Sequence, residues 1–226
     1  QADLTIVTNE FLADLVRAKG GRAVVLQDPM PRLNSGRSAP AAPKDKQAPK
    51  LGFFVCSYAQ DEPYERVFEA ATKVRASGRL VVSGRPPRNG FRSDVARWIE
   101  RSDLIEISGF LPDEEYAKTM ERSDFVVALT TSDHCLVCAA YEAFSMDKPL
   151  ILSDTQALRE YFGALPVYVD NSVESLRFAL EAAFDGQYPT QSQVAARRRE
   201  LEASWGKRFA ELVSAIQVLV AKPDSR

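Results

Sequence analysis

The segment 129–154, which reads LTTSDHCLVCAAYEAFSMDKPLILSD, holds the residues whose types and spacing are best suited to chemistry. It predicts a helix that starts near Leu136, after a strand and a short turn. The first turn of such a helix has free backbone N–H groups, which attract phosphate together with the positive end of the helix dipole. Glu142 lies about two turns further along, where its carboxylate is placed to accept hydrogen bonds from a ribose diol. The segment therefore predicts a nucleotide site.

His134 and Glu142 each have a simpler interpretation. His134 is the only histidine of the chain, and a lone histidine is more often a surface residue than a catalytic one. Its place between a strand and a helix favours a contact with the ligand instead. Glu142 has small and apolar neighbours in the sequence, among them Ala139, Ala143 and Phe144. A carboxylate in that setting needs a partner, which favours a binding role over a solvent-exposed one.

Cys135 and Cys138 form a C-x-x-C pair at the predicted helix start, which is formally the pattern of a thioredoxin-like redox site. A thioredoxin fold places this pair near the start of a short sheet, whereas here four βα-like units precede it. A zinc site formed by these cysteines with His134 and Cys56 is less favoured, because consecutive His and Cys residues do not easily face one tetrahedral centre. We expect small buried thiols and no metal site.

The surrounding sequence alternates apolar strand-like runs with helical segments, which predicts an α/β fold with a Rossmann-like, doubly wound parallel sheet. Such a sheet binds its ligand outside the carboxyl ends of its strands, where the strand order reverses. The predicted strands lie near LGFFVCS, RLVVSG, LIEISGF, DFVVALT, PLILSD and PVYVD. The predicted helices cover 63–76, 91–101, 113–122, 136–147, 155–162, 172–185 and 191–221.

Composition shifts along the chain suggest three parts. Residues 1–30 read as a strand, a helix and a strand, and the start of a strand at residue 4 leads us to expect a piece of a longer protein. Residues 31–49 are rich in proline and small residues, which is typical of a linker. Residues 50–226 contain the regular alternation and a final amphipathic helix, and they are predicted to form one domain.

Overall charge and cysteine content narrow the functional classes. The chain has 29 Lys and Arg residues and 31 Asp and Glu residues, so its net charge is -2. A chain without excess positive charge has no positive electrostatic field to attract DNA or RNA. Three cysteines do not form a disulfide framework, so we expect a cytoplasmic protein. No apolar run is long enough to span a bilayer. The run Arg197–Arg199 is expected to be a solvated helix face, with peripheral contact to anionic lipid as the alternative.

His134 and Glu142, with seven residues between them, resemble the two-glutamate signature of retaining GT-B glycosyltransferases of family 4, also called group 1. SGRPP resembles the family's glycine-containing turn, SGFLPDEEYAKTMERSDFVVALT its base-binding loop with the next helix and strand, and SDTQALREYF the following loop and helix. The resemblance covers 50–220 and implies the C-terminal, donor-nucleotide domain. Residues 1–30 then look like the last elements of an acceptor-binding N-terminal domain that is otherwise missing.

This resemblance implies a UDP- or GDP-sugar donor as the ligand, with no further cofactor. The diphosphate would lie at Leu136–Cys138, the ribose at Glu142, the donor sugar near His134 and the nucleobase at the backbone of Gly109–Leu111. The nucleotide-sugar-binding residues are thus predicted to be Ser57, Gly84, Arg85, Gly109, Phe110, Leu111, His134, Leu136, Val137, Cys138 and Glu142.

Two positions depart from the family's pattern. His134 stands where the family usually has the glutamate that faces the donor sugar. Ser57 and Glu62 stand where it usually has an Arg and a Lys that neutralise the diphosphate. Phosphate charge must then be met by Arg85, by Arg88 or by a basic group of the missing domain.

The sequence thus predicts the donor-binding part of a glycosyltransferase that transfers a sugar to a glycan, lipid-linked or small-molecule acceptor. We expect the chain alone to bind its donor without turnover. The first alternative is a catalytically degenerate GT-B binding or assembly module. The second is a GT-B sugar-nucleotide epimerase.

Overall fold

The computed structural model describes residues 2–33 and 48–221. The described residues divide into two compact units, which fall within Gln1–Met30 plus Ala196–Arg226 and within Pro31–Ala195. The predicted linker 31–49 lies for the most part outside the described residues. None of the helices in 2–33 and 48–221 is long and apolar enough to cross a membrane.

The smaller unit is built on a parallel pair of short strands. Asn9 accepts a hydrogen bond from the backbone N–H of Leu12 at 3.0 Å and so caps the helix between them. In the last helix, Trp205 donates its indole N–H to the Gln27 carbonyl at 2.8 Å. The elements are β1 (Thr5–Val7), α1 (Glu10–Ala18), β2 (Ala23–Val25) and α8 (Gln191–Val220), of which the residues from Ala196 belong to this unit.

The larger unit has a six-stranded, all-parallel sheet with the order β5-β4-β3-β6-β7-β8. The first strand of this sheet, β3, pairs with both β4 and β6. The chain therefore adds β4 and β5 on one side of β3 and then crosses back to add β6, β7 and β8 on the other side. This is the doubly wound arrangement that the sequence predicts. The strands are β3 (Lys50–Phe54), β4 (Gly78–Ser83), β5 (Ile105–Gly109), β6 (Phe125–Ala128), β7 (Leu150–Ser153) and β8 (Val167–Val169).

Each strand of this sheet except the last leads through a helix into the next strand. Thr155 and Ser172 cap two of these helices with their hydroxyls, in agreement with the usual preference for Ser and Thr at this position. The helices are α2 (Tyr64–Ala71), α3 (Ser93–Arg101), α4 (Asp113–Arg122), α5 (Cys138–Ser145), α6 (Gln156–Phe162) and α7 (Val173–Phe184).

The sheet is buried because its central strands carry apolar residues on both faces. Phe53 and Phe54 are adjacent in β3, point to opposite faces, and are both fully buried. On one face Phe125 packs edge-on against Phe184 of α7, with ring centroids 5.2 Å apart. The predicted α/β class with a parallel sheet is confirmed, and every predicted strand and helix of residues 50–220 has a counterpart.

Candidate functional site

The strand order reverses between β3 and β6, which makes their carboxyl ends the place where a doubly wound sheet binds ligands. Two loops meet there. Residues 55–63 follow β3, and residues 129–137 follow β6 and lead into α5. The main-chain N–H of Thr131 donates to the carbonyl of Asp61 at 2.6 Å, and the Thr130 hydroxyl donates to the Asp61 carboxylate at 2.9 Å. These bonds join the two loops into one candidate site.

A buried network of polar side chains positions the loop after β6. Ser153, at the end of β7, accepts the backbone N–H of Thr130 at 2.9 Å and donates to the Asn171 side chain at 2.8 Å. Asn171 in turn donates to the Thr130 carbonyl at 3.0 Å. Thr130 and Ser153 are buried. Because each of these polar groups is paired, the network fixes the direction in which the chain enters the turn before α5.

Helix α5 begins at Cys138, two residues later than the sequence predicts. The reason is that Val137 is extended, with φ -75° and ψ 123°, so Leu136 and Val137 precede the helix. Val137 occupies the N-cap position and no side chain caps the helix there. The first N–H groups of α5 are thus not occupied by a capping side chain. The N–H groups of Cys138 and Ala139 remain the candidate phosphate donors, because the N–H of Ala140 donates to the carbonyl of Val137 at 3.0 Å. Leu136 and Val137 lie in the preceding turn.

Glu142 lies on α5 and is half-buried. One of its oxygens, Oε2, accepts a short hydrogen bond from the hydroxyl of Tyr116, which belongs to α4. Burial, followed by this hydrogen bond, raises the pKa of Tyr116. The Tyr116 ring packs edge-on against Phe53 at 5.5 Å, so the donor hydroxyl is itself fixed. The sequence indicates that Glu142 needs a partner but does not identify Tyr116.

The carboxyl ends of β4 and β5 bring together the next predicted site residues. Gly84 follows β4 with φ +99°, and its N–H donates to the carbonyl of Gly109 at 3.0 Å. The guanidinium of Arg85 lies 4.7 Å from the centroid of the ring of Phe110, a residue that is 61% exposed. Leu111 follows and is half-buried. The sequence predicts Arg85 near phosphate, and the structure places it on the aromatic ring of the predicted base-binding loop.

His134 is half-buried in the turn between β6 and α5. The predicted contact between His134 and a donor sugar stays a prediction. In the same turn, the N–H of Cys135 donates to the Ser132 carbonyl at 3.3 Å. This bond closes the turn that connects β6 to the start of α5.

The cysteines near the site are free thiols. Burial, and then the charges of Asp61 and Cys138, raise the pKa of Cys135. Reactive cysteines of redox pairs have a lowered pKa, so this site does not favour the redox alternative. Cys138 is exposed, contrary to the expectation of buried thiols, because it occupies the first turn of α5. Within 2–33 and 48–221, no three His, Cys, Asp or Glu residues are grouped to hold a metal ion.

The loop after β3 contains the two predicted departures from a basic phosphate site. Ser57 is exposed, and both its backbone N–H and its hydroxyl donate to Oε2 of Glu62, at 2.8 and 3.0 Å. Both donor groups of Ser57 are thus bonded to the Glu62 carboxylate of the same loop.

The arginine run on α8 forms ion pairs along the helix. Arg197 pairs with Glu200 at 3.0 Å and Arg198 pairs with Glu202 at 2.9 Å. Lipid contact by the run Arg197–Arg199 stays a prediction.

Comparisons with known proteins relate the fold to one class of enzymes. No sequence-family model matches the chain, and no curated protein matches it by sequence. Among solved structures, a sucrose-phosphate synthase from Thermosynechococcus elongatus matches with a TM-score of 0.73 and 17% identity over 98% of this chain and 59% of its own. The HepE protein of Anabaena, solved with UDP and glucose, matches with a TM-score of 0.72 and 12% identity over 95% and 64%.

An α,α-trehalose-phosphate synthase (UDP-forming) from Burkholderia vietnamiensis matches with a TM-score of 0.72 and 11% identity over 97% of this chain and 62% of its own. The three solved proteins are GT-B glycosyltransferases, and the chain has their fold. It spans only 59% to 64% of their length. Membership of family 4 stays a prediction.

Proposed function

We propose that this chain is the donor-binding part of a glycosyltransferase and that it binds a nucleotide sugar at the carboxyl ends of β3 and β6. The observation that carries the proposal is the geometry of α5. This helix begins where the strand order reverses, and no side chain caps its first turn. On the same helix, the carboxylate of Glu142 is oriented by its hydrogen bond from Tyr116. The GT-B fold supports the same class.

In the proposed complex, the N–H groups at the start of α5 bind the diphosphate. The oxygen of Glu142 that does not bond to Tyr116 accepts hydrogen bonds from the ribose hydroxyls. The exposed Phe110 ring with Arg85 against it offers a stacking surface, and the backbone of Gly109–Leu111 offers polar contacts to the base. His134 lies towards the sugar. Diphosphate charge is met by the helix terminus and by Arg85.

We propose UDP-sugars as the first donors to test, because the HepE structure holds UDP and glucose. Sugar transfer requires an acceptor hydroxyl next to the donor sugar, and we propose that residues outside this chain supply that part of the site. Fixed N–H donors at the diphosphate would stabilise the charge that develops as the glycosidic bond breaks. The chain alone would therefore bind its donor and not transfer the sugar.

Calorimetry with Glu142→Gln tests the ribose contact. We expect UDP-glucose to bind the unmodified chain and to bind the variant about tenfold more weakly, because the glutamine keeps an acceptor for Tyr116 but loses the charged acceptor for the diol. GDP- and ADP-sugars are titrated in parallel to identify the base. Glu100→Gln is the matched control, since Glu100 is exposed near the end of α3, at the opposite edge of the sheet.

Equal affinity of Glu142→Gln and Glu100→Gln for UDP-glucose would contradict the assignment of Glu142. Absence of binding by any of the three nucleotide sugars at millimolar concentration would contradict the donor site as a whole. That result would favour the binding or assembly module instead.

A further inference from the structure

The loop after β3 folds around the carboxylate of Glu62. Three donor groups converge on the single oxygen Oε2: the N–H of Ser57 at 2.8 Å, the hydroxyl of Ser57 at 3.0 Å and the N–H of Ala59 at 2.9 Å. The thiol of Cys56 is 3.5 Å from the same oxygen. We call the set of donors on residues 56–59 the oxyanion cup.

The backbone forms this cup because Tyr58 adopts a left-handed conformation, with φ +62°. A left-handed residue between two others turns neighbouring N–H groups towards one point, as in the concave anion sites called nests. Such a conformation is uncommon for a bulky residue. It is supported here by the Tyr58 ring, which packs edge-on against Tyr64 at 5.1 Å and against Phe91 at 5.4 Å.

The cup lies at the edge of the sheet where ligands bind in folds of this kind. Asp61, next to Glu62, is bonded to Thr130 and Thr131 of the loop after β6. An open cavity of about 370 Å³ borders the loop, and Ala59, Glu62 and Thr131 are among its lining residues. The Glu62 side chain therefore has space to leave the cup without disturbing the core.

We propose that this loop is a phosphate-binding cup that the chain fills with its own Glu62 carboxylate, which a ligand phosphate must displace in order to bind there. Phosphate and carboxylate oxygens accept the same backbone and hydroxyl hydrogen bonds, so they compete for the same donors. Because Glu62 is on the same chain, it competes at a high effective concentration. The proposal is independent of the nucleotide-sugar assignment, since it concerns any ligand with an accessible phosphate.

The test is the affinity for inorganic pyrophosphate, which has neither base nor sugar, in the chain and its Glu62 variants. Glu62→Ala empties the cup, and Glu62→Ser does the same while keeping a polar group, in case the alanine variant fails to fold. We expect either variant to bind pyrophosphate about tenfold more tightly than the unmodified chain. In ¹⁵N-labelled protein, the amide signals of Ser57 and Ala59 should shift during the titration.

Glu62→Gln is the control that separates occupation of the cup from charge. Its amide oxygen still accepts the three hydrogen bonds, so its affinity for pyrophosphate should stay within about twofold of the unmodified chain. Equal gains for Glu62→Gln and Glu62→Ala would overturn the proposal, because charge alone would then explain both. A gain without shifts at Ser57 and Ala59, or no gain in a folded open-cup variant, would also overturn it.

Discussion

Replacing Gly84 with alanine should destabilise the larger unit far more than the same change at Gly109. Both glycines have a positive φ, +99° and +72°, which costs an alanine about 1–2 kcal/mol. At Gly84 the new Cβ would also lie 2.0 Å from the carbonyl oxygen of Cys56, whereas at Gly109 it would meet nothing within 4 Å. Moving the backbone to relieve this overlap adds about 1–3 kcal/mol.

We therefore expect the free energy of unfolding to fall by about 2–5 kcal/mol in Gly84→Ala and by about 1–2 kcal/mol in Gly109→Ala. Urea denaturation followed by far-ultraviolet circular dichroism measures both values, with an unchanged slope as the check that the unfolding transition is the same. Equal losses in the two variants would refute the close approach of β4 to the loop after β3.

Three further predictions concern single side chains. Tyr116→Phe should lower the unfolding free energy by about 1–2 kcal/mol in urea denaturation, because Glu142 loses its donor; no change would refute that bond. Arg159 lowers the pKa of Asp154 below the usual 3.8. The stability that this ion pair contributes is present above pH 3.8 and is lost as the pH falls through the lowered pKa of Asp154. The unfolding midpoints measured at pH 5 and at pH 3 should therefore differ less in Asp154→Asn than in the unmodified chain. Because the pKa of Cys135 is raised, its thiol should react with iodoacetamide at pH 8 more slowly than the thiol of glutathione does. Mass spectrometry of the labelled peptides measures the rate.

The sheet could be predicted from the sequence because its strands are buried on both faces. The run FVVA is apolar throughout and the run LILS is apolar up to its final serine, and in the structure they are the fully buried strands β6 and β7. The start of α5 was displaced by two residues because the sequence LVC does not show that Val137 stays extended. Helix ends depend on local backbone geometry that periodicity does not record.

Contacts between distant parts of the chain could not be predicted from the sequence. The sequence indicates that Glu142 needs a partner, but Tyr116 lies 26 residues away on another helix. The sequence shows Glu62 as a departure from a basic site, but the hydrogen bonds that Ser57 and Ala59 donate to it depend on the left-handed conformation of Tyr58. The sequence predicts Arg85 near phosphate, whereas its contact with Phe110 joins the loops after two neighbouring strands.

The most direct test of the donor site is a map of backbone amide shifts during titration of the ¹⁵N-labelled chain with UDP-glucose. We predict that the largest shifts occur at Cys138–Ala140, in the first turn of α5, and at Gly109–Leu111. Amides at the amino ends of the strands, such as Leu51 and Arg79, should not move. Absence of shifts at Cys138–Ala140 with saturating UDP-glucose, or shifts confined to the amino ends of the strands, would contradict the proposal that this chain binds a nucleotide sugar where β3 and β6 end.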